Sequence, residues 1–301
     1  MLEVGGGHLV YWEECGNPNG KPALVLHGGP GSGCSVNQRR NFDPAKYRIV
    51  LMDQRGCGRS RPLASEPDAD LSANTTHHLI ADIEAIRTML GVDRWLIWGA
   101  SWGSVLALVY AETYPERVSE LLLISMGTGR RMETDLMTSG FAKLLPAAWE
   151  DFSFFATRSS DPGNIIDQYA DLLFHPDTEV REEAASRWCD WETAIVPTSP
   201  RSPRFDIPEF RLTFARLVTH YWRNGSWLKE GQILDNAHRL KGIPGVILQG
   251  RLDLSNLSGS PWELLAKWPE AEIEFFDAGH GGDTAMSARI IEVTKRFANS
   301  G

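Results

Sequence analysis

A chain of 301 residues, 42% hydrophobic and 23% charged, can bury one sizeable core, and a single elaborated domain is the expectation. Thirty basic residues against 39 acidic ones leave a net charge of −9, which argues against nucleic acid or an anionic membrane surface as partner. No apolar run approaches the ~20 residues that a bilayer span needs, and the start, MLEVGGGHLVYWEE, lacks a basic segment followed by an apolar one, so a cytoplasmic protein is expected.

Short apolar runs bounded by glycine or proline then recur along the chain, the pattern of parallel strands buried on both faces. The first, ALVL from Ala23, runs into His27-Gly28-Gly29-Pro30-Gly31, and the second is RIVLMD from Arg48. A helical period follows in HHLIADIEAIRTMLG, then a strand in WLIW, a helix in SVLALVYAETYPE and a strand in ELLLIS. This β-α-β alternation is that of a doubly wound α/β sheet. The rhythm stops near Gly127 and resumes near Gly242 with GVILQG and EIEFF. Residues 1–127 and 242–301 are therefore expected to form the α/β core and residues 128–241 an inserted helical cap, crossed by a proline-rich loop from Pro197 to Pro208. Cys15, Cys34, Cys57 and Cys189 show neither metal-ligand nor disulfide spacing.

The chemistry concentrates at Gly99-Ala100-Ser101-Trp102-Gly103, a GxSxG sequence placed directly after a predicted strand and before a predicted helix. A sharp strand-to-helix turn there exposes the serine oxygen, and the glycines let strand and helix approach, as in the α/β-hydrolase fold. Serine needs a base to take its proton. In this fold the order along the chain is Ser, acid, His, each after a strand, which selects Asp253 in GVILQGRLD and His280 in EIEFFDAGH. Asp277 and Asp283 flank that histidine; the first lies at the end of a strand and the second follows the histidine. The loop at Gly28 and Gly29 can bring a backbone N–H toward Ser101 to meet a developing oxyanion. It lacks the lysine and spacing of a phosphate-binding loop.

At whole-chain scale, GNPNGKPALVLHGGPGSG, YRIVLMDQRGCGRSRP, ASWGSVLALVYAETYPERVSELLL and AKWPEAE resemble the prolyl iminopeptidases, α/β-hydrolases that release N-terminal proline. The resemblance implies the triad Ser101, Asp253 and His280, Gly29 and Trp102 as oxyanion N–H groups, and no cofactor. It also implies cap carboxylates that hold the substrate amine. One lies in Trp188-Cys189-Asp190-Trp191-Glu192, where Trp188 and Glu192 share a helix face. The other falls in Ala215-Arg216-Leu217-Val218-Thr219-His220-Tyr221-Trp222, where Val218 stands in place of the family's glutamate. Losing one charge-assisted contact costs about 1.5–3 kcal/mol, roughly ten- to a hundredfold in affinity. Glu209 and Asp206 on the neighbouring loop are the residues that could replace it. Two readings follow. One is a prolyl aminopeptidase-like serine hydrolase; the other is a serine amidase or esterase for a small molecule without a free proline amine. Both take a small peptide, amide or ester as partner, and neither fixes an oligomeric state.

Overall fold

The computed structural model describes residues 1–299. Eight strands form one sheet: β1 (Leu2–Glu3), β2 (Leu9–Gly16), β3 (Lys21–Leu26), β4 (Tyr47–Asp53), β5 (Trp95–Ala100), β6 (Val118–Ile124), β7 (Gly245–Gly250) and β8 (Ala271–Phe276), in the order β1-β2-β4-β3-β5-β6-β7-β8. From β4 to β8 all neighbours are parallel, with Leu24 opposite both Val50 and Ile97. Strands β1 and β2 pair antiparallel at one edge. The sequence pattern does not announce this pair. Its second strand, LVYWEECG, is only partly buried and carries Glu13 and Glu14 at its middle, so it lacks the continuous apolar run that marks the central strands.

The twofold alternation of the strands divides the core into two layers. Leu24, Leu26, Val50, Met52, Ile97, Leu121 and Ile247 pack on one face with helices α1 (Thr76–Met89) and α2 (Trp102–Thr113). Val25, Ile49, Leu51, Trp98, Leu122 and Leu248 pack on the other with α10 (Thr284–Ala298), which contributes Met286, Ile290, Val293 and Phe297. The helix α9 (Gly259–Leu265) joins β7 to β8.

Between β6 and β7 come α3 (Arg131–Met137), α4 (Pro146–Ala156), α5 (Ile165–Leu173), α6 (Thr178–Ala194), α7 (Pro208–Arg223) and α8 (Gln232–Asn236). Helices α4 to α7 bury a core of their own, built on rings: Phe152 stacks on Tyr169 and Trp191 at centroid distances of 4.4 and 5.0 Å, and Trp188 meets it edge-on. The helix expected to carry Trp188 and Glu192 is α6, capped by Asp177. Helix α8 instead turns Ile233 and Leu234 into the sheet's core. Residues 197–207 hold only a 3-10 turn, Pro203–Asp206, with Phe205 buried beneath. Buried Arg216 on α7 ties the helical layer to the loop after β4 by donating to the carbonyls of Ala64 and Glu66.

Candidate active site

The turn between β5 and α2 puts Ser101 at φ 53° and ψ −125°, a conformation that a side chain-bearing residue occupies only under constraint. Three contacts impose it. Ser101 N–H donates to the Ile124 carbonyl at 3.0 Å, and its own carbonyl accepts from the Ser104 N–H and hydroxyl at 2.8 and 2.6 Å. The flanking glycines are required by close approach: a Cβ on Gly99 would lie 2.4 Å from the Gly103 carbonyl oxygen, and one on Gly103 only 2.1 Å from that of Leu26.

His280, on the loop after β8, faces Asp253, on the loop after β7, with Nδ1 2.9 Å from Oδ2 and 3.1 Å from Oδ1. Asp253 is buried, and its Oδ1 accepts from the backbone N–H groups of Ser255 and Asn256. Ser125 holds the histidine loop by donating its hydroxyl to the His280 carbonyl at 3.0 Å, and Asn256 donates to the Ser125 carbonyl at 2.6 Å. Gln249 bridges the same loops through the Met126 N–H and the Asn256 carbonyl. Sequence reasoning missed Ser125, Gln249 and Asn256. Ser125 directly follows β6, Gln249 is the penultimate residue of β7 and Asn256 lies on the loop that carries Asp253, and these positions were the available signal. The rival acids have other work: Asp277 pairs with Arg251, and Asp283 caps α10.

The glycine loop after β3 is fixed by His27. Its Nε2 accepts from the Gln54 N–H at 3.0 Å, so Nδ1 carries the proton given to the Gly28 carbonyl. Burial lowers the pKa of His27, which keeps it neutral in this role. Gln54 in turn accepts from the Trp102 indole at 2.9 Å. A Cβ on Gly28 would come within 3.2 Å of the Ser101 Cβ, so this loop touches the nucleophile's turn. The Trp102 N–H lies in the first turn of α2, where helix geometry leaves such groups without an intrahelical acceptor.

Two cavities share Ser101, His280, Gly29 and Glu192 as walls. The smaller, about 80 Å³, is lined by Trp102, Val105, Met137, Trp222 and the carboxylate residues Glu133 and Glu192. The larger, about 350 Å³, runs out beneath Phe205, Phe210 and Phe214 to Arg201 and Arg204. Glu192 Oε1 accepts from the Trp188 indole at 3.1 Å. Burial pushes the Glu192 carboxyl up to about 7, against the lowering effects of that hydrogen bond and of His280. For His280, burial alone would lower the pKa, but the Asp253 hydrogen bond and charge, with Glu192 adding, outweigh it and the net shift is upward.

The remaining sequence expectations divide. Trp188 is buried and reaches the site through Glu192. Val218 is buried in the aromatic core of the cap helices and lines neither cavity. Asp206 is exposed and paired with Arg201, Glu209 is exposed, and neither lines a cavity. Glu133, which sequence reasoning did not single out, does. Its oxygens accept from the Thr128 N–H and hydroxyl, the Arg130 N–H and the Ser260 hydroxyl. Its sequence signal was a glutamate in the first turn of the first helix after β6.

A family model described as alpha/beta hydrolase fold matches residues 21–282. A probable proline iminopeptidase of Streptomyces coelicolor is 51% identical over 307 residues, covering 100% of this chain and 95% of that protein. The proline iminopeptidase of Neisseria gonorrhoeae is 44% identical over 283 residues, covering 93% and 89%. Among solved structures, a Mycobacterium smegmatis proline iminopeptidase superposes with a TM-score of 0.65 at 18% identity over 98% of this chain and 97% of that one, a likeness of fold. No helix among the described residues is long and apolar enough to cross a membrane.

Proposed function

Because the chain belongs to the proline iminopeptidase family of the α/β-hydrolases, we propose that it releases N-terminal proline from short peptides and amides through an acyl-enzyme on Ser101. In this reading the Ser101 hydroxyl attacks the carbonyl of the N-terminal residue as His280 takes its proton through Nε2. Asp253 holds the imidazole in the required tautomer and orientation, and supports the imidazolium. The N–H groups of Gly29 and Trp102 receive the oxyanion, each worth roughly 3 kcal/mol at the transition state. His280 then protonates the departing amine, and a water activated by the same imidazole frees proline and restores Ser101.

The observation that carries the reading is the His280–Asp253 pair beside Ser101 at a small chamber lined by both apolar side chains and carboxylates. Trp102, Val105, Met137 and Trp222 suit a pyrrolidine ring, and Glu192 suits its ammonium. Glu133, with Arg130 at 4.0 Å, is the second carboxylate that lines this chamber, where the family pattern looks to position 218. We take residues 1–127 and 242–301 as the catalytic core and 128–241 as the cap that selects substrate. Four unpaired cysteines fit a reducing compartment, and the cytoplasm is the proposed site of action.

The test is purified protein offered proline arylamide, its N-acetylated form and acyl p-nitrophenyl esters. The free-amine arylamide is expected to give the highest kcat/KM. Turnover of esters with none of proline arylamide would replace this reading with the amidase or esterase one.

A further inference from the structure

The two chambers differ in charge as well as size. The smaller carries Glu133 and Glu192; the larger ends in Arg201 and Arg204, in a chain whose net charge is −9. Arg201 is already neutralised: it lies 2.6 Å from Asp206 and 3.4 Å from Asp190, and donates to the Phe205 carbonyl. Arg204 is different. It donates one N–H to the Ser32 carbonyl and holds its guanidinium 4.6 Å from the centre of the Phe210 ring. No carboxylate among the described residues lies within ion-pairing distance of it. A guanidinium fixed at its back by a carbonyl and a ring, with further N–H groups unspent, is prepared for a planar two-oxygen anion.

We propose that the larger chamber receives the leaving peptide and that Arg204 recognises its C-terminal carboxylate. This makes the preferred substrate a short, free-acid peptide with N-terminal proline. The proposal rests on the iminopeptidase reading and specifies its substrate class. The glycine loop that bears Ser32 also contributes Gly28 and Gly29 to the chamber floor, so Arg204 is anchored to the loop that contacts the nucleophile's turn. The chamber's volume, about 350 Å³, lies in the range of pockets that hold small ligands. Phe205, Phe210 and Phe214 line the same chamber as Ser101, His280 and Arg204. An acidic side chain on the leaving peptide offers the same chemistry and is separated below.

The experiment compares kcat/KM for Pro-Gly-Gly as free acid and as C-terminal amide, in wild type, Arg204→Gln and Arg204→Lys. The ratio of acid to amide is read within each protein, and the unfolding midpoint of each variant confirms folding. Wild type is expected to prefer the acid by about tenfold, the scale of one charge-assisted contact. The ratio should fall to near one in Arg204→Gln, recover partly in Arg204→Lys, and shrink in wild type as salt is raised. Pro-Glu-amide against Pro-Gln-amide reports the side-chain source; a preference appearing only there, and lost in Arg204→Gln, assigns the subsite to an acidic residue. Equal turnover in wild type of acid and amide and also of Pro-Glu-amide and Pro-Gln-amide, or a preference that survives Arg204→Gln, overturns the subsite. Proline arylamide separates the two claims: if wild type does not cleave it, the iminopeptidase reading fails; if it does while neither pair of peptides shows an Arg204-dependent preference, only the Arg204 assignment fails.

Discussion

The loops at the carboxyl ends of the strands and the helices inserted after β6 hold their polar groups by different means. In the sheet region backbone geometry does the holding: Ser101 is pinned by three hydrogen bonds in a constrained conformation, and Asp253 by two backbone N–H groups. In the helical region packing does it, as where buried Trp188, set among Phe152 and Tyr169, gives its indole N–H to Glu192. Backbone placement suits chemistry that is the same for every substrate. Side-chain packing suits selection, because it can be rebuilt without touching the reacting atoms. Changes in the first region should therefore reduce turnover of all substrates, and changes in the second should redistribute it.

The largest expected effect is from Ser101→Ala, which should lower kcat by about 10⁶ for amides and esters alike, with unfolding unchanged. Asp253→Asn follows at about 10⁴, since the imidazole loses its orienting acceptor. Next is a residue where the two regions meet. A Cβ on Gly279 would lie 1.8 Å from the Thr198 hydroxyl oxygen, so Gly279→Ala must displace either the histidine loop or the cap loop. A displacement near 1 Å at such a site costs about a hundredfold. Adding Thr198→Gly should restore much of the activity, which steady-state kinetics on the double variant would show.

Val218→Glu sharpens the comparison from the other side. The family resemblance makes this valine a missing anchor, yet it lies in an aromatic core away from both chambers. The glutamate should destabilise the fold by about 3 kcal/mol through an unpaired buried carboxyl, with no gain on proline arylamide. Denaturant unfolding and kinetics together would check this. A smaller effect is one of pH. In the proposed mechanism His280 must be neutral to act, so kcat/KM is expected to rise with pH through a midpoint above the ordinary histidine value, because the net shift is upward. Glu192 is one of the charges that raises it, and itself titrates near 7. Removing that charge in Glu192→Gln should move the acidic limb to lower pH. A limb that stays in place would show that the two groups do not interact.

The same contrast explains what could be read from the chain alone. Central strands, buried on both faces, advertise themselves as apolar runs, and the tight turn at Ser101 demands glycines at fixed spacing; both features survive in sequence. Asp253 and His280 follow from strand order. The cap resists such reading because α6 and α7 bury rings around much of their girth, and nothing in the spacing says which side chain faces a cavity. Val218 and Glu133 show the consequence. One occupies a position that the family pattern makes prominent and lies behind the wall; the other looks like an ordinary first-turn glutamate and forms part of it. Strand β2, next to the edge, was hidden for a simpler reason, since only one of its eight residues is fully buried and no apolar run marks it.

The central claim is that chemistry resides in the sheet loops and amine recognition in the cap. Its most direct test is kcat/KM of wild type and Glu192→Gln on proline arylamide and on p-nitrophenyl acetate. The account predicts that the arylamide value falls by about ten- to a hundredfold, the loss of one charge-assisted contact, while the ester value changes by no more than about twofold, since the ester has no amine to lose. An equal fall on both substrates, or no fall on the arylamide, would contradict it.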